Sequence, residues 1–239
     1  MHRLLARTLT LMVLASPLAA QVGHPPGSSP YRDIPGGRSF TLLVGDIGGD
    51  GGSIGVGPHN GQSYGVRFDV RLGAPIQLGL TVARGDLERL VVSAADSVAN
   101  RVDGPVKQAV TMLELALQIN LTGRKSWNRL APFIGGSAGF MDGGGLPASV
   151  KDSSGYKFGG KIYLAPAAGL RIFLSKSLHV RLEARQLFWK LKYPLAYNLD
   201  PAAQPSGDVV NHPNSVLPGN KREEWSGARE FRAGLSYSF

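Results

Sequence analysis

Cysteine is absent from all 239 residues. Disulfides are therefore excluded, and no lipobox cysteine marks a lipoprotein. An exported fold without disulfides must be held by its buried core or by a closed backbone ladder. Past the N-terminal segment, long apolar runs are also missing. Nothing there approaches the roughly 20 consecutive apolar residues of a membrane-crossing helix. A membrane reading must then rest on strands, which cross a bilayer only as a closed barrel. Motif chemistry is equally sparse. The glycine-rich stretch 48–61 lacks the Gly-Lys-Ser/Thr ending of a phosphate-binding loop. Asp46 and Asp50 lack the ligand series of a calcium loop. The five histidines show no zinc spacing, and the four methionines are scattered. No cofactor and no metal are expected.

The N-terminus has a direction. Arg3 and Arg7 precede an apolar stretch over residues 9–18 and the small pair Ala19 and Ala20. That is the pattern of a secretory signal peptide over residues 1–20, cut before Gln21, with Leu18 an unusual residue near the cut. Its removal takes two arginines and no acid, lowering the net charge from +9 to +7. An exported basic chain rarely meets nucleic acid; phosphate-rich lipopolysaccharide is the expected anionic neighbour. Residues 21–38, rich in proline and glycine, read as an irregular periplasmic lead-in.

From residue 39 the pattern has period 2, so opposite faces of a strand differ in chemistry. Eight strands are countable. The first, 39–47, is weak because Leu43 spoils the alternation of Phe40, Leu42 and Val44. Residues 64–72 and 76–82 form a hairpin around Gly73-Ala74-Pro75. The clearest ladder is Leu113, Leu115, Leu117, Ile119 and Leu121, interleaved with Glu114, Ala116, Gln118 and Asn120. Further strands are expected over 130–140, 161–173 and 178–191, and the last from Trp225 or Ser226 to Phe239. Pro166 predicts a bulge or break in the sixth. The apolar set shifts phase beyond Gln186, which predicts a bulge between residues 185 and 188. Residues 86–100 are read as a short helix within a long connection, 84–107. The five prolines of 192–224 forbid a long helix there.

Connections alternate long and short, so every long one falls at the same end of an up-and-down meander. The final residues add a second signature. Phe231, Leu235, Tyr237 and Phe239 share one face, alternating with Arg232, Gly234, Ser236 and Ser238. Together these features resemble the eight-stranded barrels of bacterial outer membranes, the OmpA/OmpX-type superfamily. The resemblance implies an all-β antiparallel transmembrane barrel over 39–239 with both termini periplasmic. It also implies a C-terminal assembly signal at Phe231, Leu235, Tyr237 and Phe239, read by the barrel assembly machinery. Outer-membrane lipids are further partners, and a monomer is expected. The last strand should pair with the first. A lipocalin is the soluble alternative, with the apolar face inward and the polar face in water.

If the apolar face meets lipid, a polar network fills the lumen: Arg67, Asp69, Arg71, Glu114, Arg171, Arg181, Glu183, Arg185 and Arg232. Six bases against three acids predict cross-barrel ion pairs and a positive excess. Trp127, Tyr237 and Phe239 are expected in one aromatic girdle, and Phe188, Trp189, Tyr193 and Trp225 in the other. The expected role is structural or surface-interacting, through the long loops, with no catalysis. A narrow pore for small, anionic solutes is the alternative. A lipid A-modifying enzyme is the third reading, prompted by His212 and Ser215, which lie in a proline-rich loop rather than on a strand.

Overall fold

The computed structural model describes residues 28–150, 152, 154–217 and 219–239; the expected signal peptide and the start of the lead-in lie outside them. The strands are β1 (Tyr31–Asp33), β2 (Arg38–Gly49), β3 (Gly61–Arg71), β4 (Ile76–Val92), β5 (Val102–Asn120), β6 (Lys125–Trp127), β7 (Leu130–Gly143), β8 (Gly159–Phe173), β9 (Leu178–Lys192) and β10 (Glu223–Ser238). Eight of them close a ring in which each pairs antiparallel with its sequence neighbour, and β10 returns to β2. Phe231 lies opposite Asp46 and Tyr237 opposite Phe40, so the last and first barrel strands do form a ladder. The sheet has no free edge along these strands, and its backbone donors are satisfied within the wall.

Period 2 sorts the side chains. Along β5 the outward Leu113, Leu115, Leu117, Ile119 and Leu121 are 43–58% exposed, while Met112, Glu114, Ala116, Gln118 and Asn120 between them are buried. The same division runs around the ring, giving an apolar outer belt. Over residues 113–121 it stands roughly 21 Å tall, for a rise of about 3.4 Å per residue and a tilt of about 40°. Along this belt the buried charges are inside and the exposed leucines outside, the reverse of what a lipocalin requires. Beyond the belt β4 and β5 continue as a protruding hairpin that carries Arg84, Asp86 and Lys107 on its outer face.

Several local expectations are corrected. Residues 86–100 form no helix: β4 runs to Val92, because Leu87, Arg89 and Val91 keep the inward parity and are buried. Among the described residues the only helical element is a 3-10 turn, Leu195–Asn198. No bulge occurs between residues 185 and 188, where the β9–β10 register is unbroken. The inner face of β9 simply changes chemistry, from His179, Arg181, Glu183 and Arg185 to Leu187, Trp189 and Leu191. Pro166 makes no bulge, but it does bring the break expected as the alternative. It pairs in step with Gly136 of β7, and only the ladder toward β9 lapses, at residues 165–166. The actual irregularity lies between Arg89 and Val91. The described part of the lead-in is partly ordered: β1 pairs with β6, and Ile34 packs on Ala131 and Phe173 across the turn end of the lumen.

Two glycines make room for large side chains to lie over the neighbouring strand. Gly139 lies in register with Glu114 on one side and Tyr163 on the other. A Cβ there would sit 2.5 Å from the Tyr163 ring. At Gly169 a Cβ would sit 2.3 Å from the ring of Phe133. Gly139→Val is expected to expel Tyr163 and cost about 1–3 kcal/mol from overpacking. Gly136→Val, on the outer face, is expected to be close to neutral. Urea-unfolding midpoints of the two variants check the contrast; equal midpoints would refute it.

Candidate functional site

The lumen is the part of the molecule where polar chemistry is concentrated, and it is layered. Of the residues expected there, Arg67, Asp69, Glu114, Arg171, Arg181, Glu183, Arg185 and Arg232 all face inward and are at most 6% exposed. Arg71 also lies on the inward register but is half-buried at the turn end, where its Nη1 donates to the Ile34 carbonyl at 3.2 Å. One member escaped the sequence reading. Glu230 is fully buried and two residues upstream of Arg232 on the same parity. Extending the period-2 count above Phe231 was the signal that would have found it.

Glu230 completes the middle layer. Arg185 Nη1 reaches Glu114 at 2.5 Å and its Nε donates to Glu230 at 2.8 Å. Arg232 Nε donates to the other oxygen of Glu230 at 2.7 Å, and its Nη1 lies 3.6 Å from Glu114. Tyr163, folded over Gly139, donates its hydroxyl to Glu114 at 2.8 Å; Ser63 does the same for Glu230 at 2.7 Å. Below, Arg67 pairs with Asp69 and Arg181 with Glu183, each two residues apart on one strand. Arg181 also stacks 4.2 Å from the centroid of Phe133. Charges removed from water are tolerated only when paired and hydrogen-bonded in this way.

Above the ion layer the inner wall turns apolar. Ile47, Leu87, Val110, Met112, Met141, Leu187, Trp189 and Leu191 form a core with side chains sent down from the long loops. Loop 50–60 supplies Val56, loop 144–158 supplies Tyr156 and Phe158, and loop 193–222 supplies Tyr193, Tyr197, Val216 and Leu217. This explains why Trp189 and Tyr193 do not join the outer aromatic girdle: at 3% and 7% exposure they belong to this plug. Phe188, Trp225, Trp127, Tyr237 and Phe239 do face outward, as do Phe231 and Leu235. The plug is pinned by polar contacts. Tyr197 donates to the Val92 carbonyl at 2.9 Å, and burial pushes its phenol up to about 12, keeping it a neutral donor. Arg89 reaches Asp152 at 2.7 Å and lies 5.5 Å from the Tyr156 ring centroid. Burial raises the Asp152 carboxyl, but bonds from Ser154 and Arg89 outweigh it and hold the group below its ordinary value.

Little space remains. One void in the ion layer, lined by Arg67, Glu114 and Glu183, and another in the plug, lined by Met112, Phe158 and Trp189, measure about 10 Å³ each. That is room for about one water apiece. His212 and Ser215 form no nucleophile–base pair. The His212 Nδ1 sits 3.7 Å from Asp200, while Ser215 is 2% exposed and its Oγ has no hydrogen-bond partner. A nucleophile needs both access and a base. Among the described residues no group of three or more His, Cys, Asp or Glu is arranged to hold a metal ion.

No family model and no curated protein matches the chain. Solved structures do. Neisserial surface protein A is 9% identical with a TM-score of 0.49, over 88% of this chain and 98% of its own. The outer membrane protein OprG from Pseudomonas aeruginosa is 13% identical with a TM-score of 0.48, over 85% and 96%. The outer membrane enzyme PagL is 12% identical with a TM-score of 0.38, over 84% and 99%. Identities this low, with TM-scores below 0.5, transfer no residue roles.

The ion layer makes a quantitative demand. Arg185→Met leaves two buried carboxylates with Arg232 as their one shared arginine and is expected to destabilise the barrel by about 3–5 kcal/mol. A double-mutant cycle of Arg185→Met with Glu114→Gln should show a coupling of about 0.5–3 kcal/mol. The same cycle with exposed Glu223→Gln should show none. Equal coupling in both cycles, measured by urea unfolding, would contradict the network.

Proposed function

We propose that this eight-stranded barrel, built like the small bacterial outer-membrane barrels, is a monomeric, non-conducting and non-enzymatic outer-membrane protein. Its working surface is the cap of long loops. The observation that carries this reading is the sealed lumen. Among the described residues, the voids lined by the ion-paired layer and by the apolar plug measure about 10 Å³ each. That weighs against the narrow pore. The burial of Ser215 weighs against the enzyme.

The exterior supports the location. The apolar belt suits lipid, and exposed Lys107, Lys190, Lys192 and Arg229 stand on the outer wall beyond it. There they suit the phosphates of lipopolysaccharide, an attraction salt would screen. The outward Phe231, Leu235, Tyr237 and Phe239 suit recognition by the assembly machinery. The cap is anchored from within, because its own side chains form the plug. Its longest loop nevertheless presents Val209 and Val210 at 80% and 77% exposure, apolar residues that contact with a partner would cover.

Planar-bilayer recording of the purified protein tests the sealed lumen. Discrete conductance steps should be absent under voltages at which open barrels conduct. Reproducible single-channel steps would overturn the reading and restore the pore.

A further inference from the structure

Of the six lumen arginines, charge pairing leaves two over, the buried Arg171 and the half-buried Arg71 at the turn end. Arg67, Arg181, Arg185 and Arg232 each have a carboxylate at 2.5–2.8 Å. Arg171, only 2% exposed, has none. It donates to Asn120 Oδ1 at 2.7 Å, an acceptor already shared with Gln118 Nε2, and lies over the Phe173 ring. Its Nε has no partner, and neither do Asn120 Nδ2, Arg71 Nε and Thr122 Oγ1. Arg71 and Arg181 are within electrostatic reach, and Arg124 adds its charge to Arg71. The one carboxylate in reach of Arg171, that of Asp69, is hydrogen-bonded to Arg67. The orphan acceptor Gln118 Oε1 is uncharged.

Unpartnered donors and surplus positive charge, buried at the turn end, are what an oxyanion site requires. We propose that Arg171, Arg71 and Asn120 form a binding site for a small oxyanion of phosphate type, entered from the turn end of the barrel. The approach is itself cationic. A recess of about 430 Å³ outside the mouth is lined by Arg32, Arg129 and Lys176, with Asp33 its one acid. Ile34 and Phe173 lie between that recess and Arg171. Ile34 closes this end: its N–H donates to the Arg124 carbonyl at 2.8 Å and its carbonyl accepts from Arg71. Release of the Arg71 bond to Ile34 would free that guanidinium for the anion. The site is a dead end beneath the ion layer, so it binds and does not conduct.

Phosphorus NMR of inorganic phosphate, added to the full-length protein in a phosphate-free detergent at fixed ionic strength, tests this. The phosphate line should broaden with the wild-type protein. Broadening should vanish with Arg171→Gln and fall several-fold with Arg71→Gln. Arg71 is half-buried, so its variant keeps the test decisive if Arg171→Gln fails to fold. No broadening with the wild type would overturn the proposal and leave these donors to water. Broadening that persists unchanged in the folded variants would also overturn it, placing the anion elsewhere.

Discussion

The ladder between β2 and β10 is the constraint from which the rest follows. Once it closes, the wall has no edge, and each strand must present alternate residues to a narrow inside and a continuous outside. The outside then carries one chemistry over a belt of near-constant height. The inside must be filled, because eight strands enclose little more than the volume of their own side chains. A large inward residue that leans over a neighbouring strand needs a gap there. Gly139 provides it for Tyr163 and Gly169 for Phe133.

Filling is done in two different ways at two heights. In the middle, carboxylates and guanidiniums neutralise one another across strands, with Glu114 and Glu230 each held by two arginines. Toward the loop end the same inward positions carry Leu187, Trp189, Leu191 and Met141, and the loops complete a small hydrophobic core. The second device depends on the first for position. Tyr163 belongs to the apolar core yet ends on Glu114, so it joins the two layers. A lumen built this way gives the loops a firm base, which suits a protein that acts at its surface.

Much of this was readable from period 2 alone: eight strands, the pairing of last with first, and the inward parity of the nine polar residues; the alternation of loop lengths fails at 84–107, where β4 and β5 extend and leave a connection of nine residues, 93–101. The misreadings share a cause. Beyond Arg185 the apolar residues sit on the inward parity, and an expectation that apolar means outward turned a change of interior chemistry into a bulge. The same expectation put Trp189 in the girdle and made a helix of residues 86–100, whose Leu87, Leu90 and Val92 pack in the plug. Leu43, which spoiled the first strand, is likewise an inward residue near that boundary. Partners across the barrel were not legible, because register, rather than spacing, brings Arg185 to Glu114 and Glu230. Nor did composition reveal that Arg171 is left without a carboxylate.

The central claim is that one face of each strand meets lipid while the other is sealed from both lipid and water. The absence of native cysteine makes a direct measurement simple: a single spin-labelled cysteine is moved along residues 111–121, the end of β5 and the residue after it, in the membrane-reconstituted protein. Labels at 113, 115, 117, 119 and 121 should collide freely with oxygen dissolved in the bilayer. Labels at Ala116 and the other inward positions that tolerate them should be reached neither by oxygen nor by a water-soluble relaxant. Inward labels open to the water-soluble relaxant, or a profile without two-residue alternation, would contradict the account.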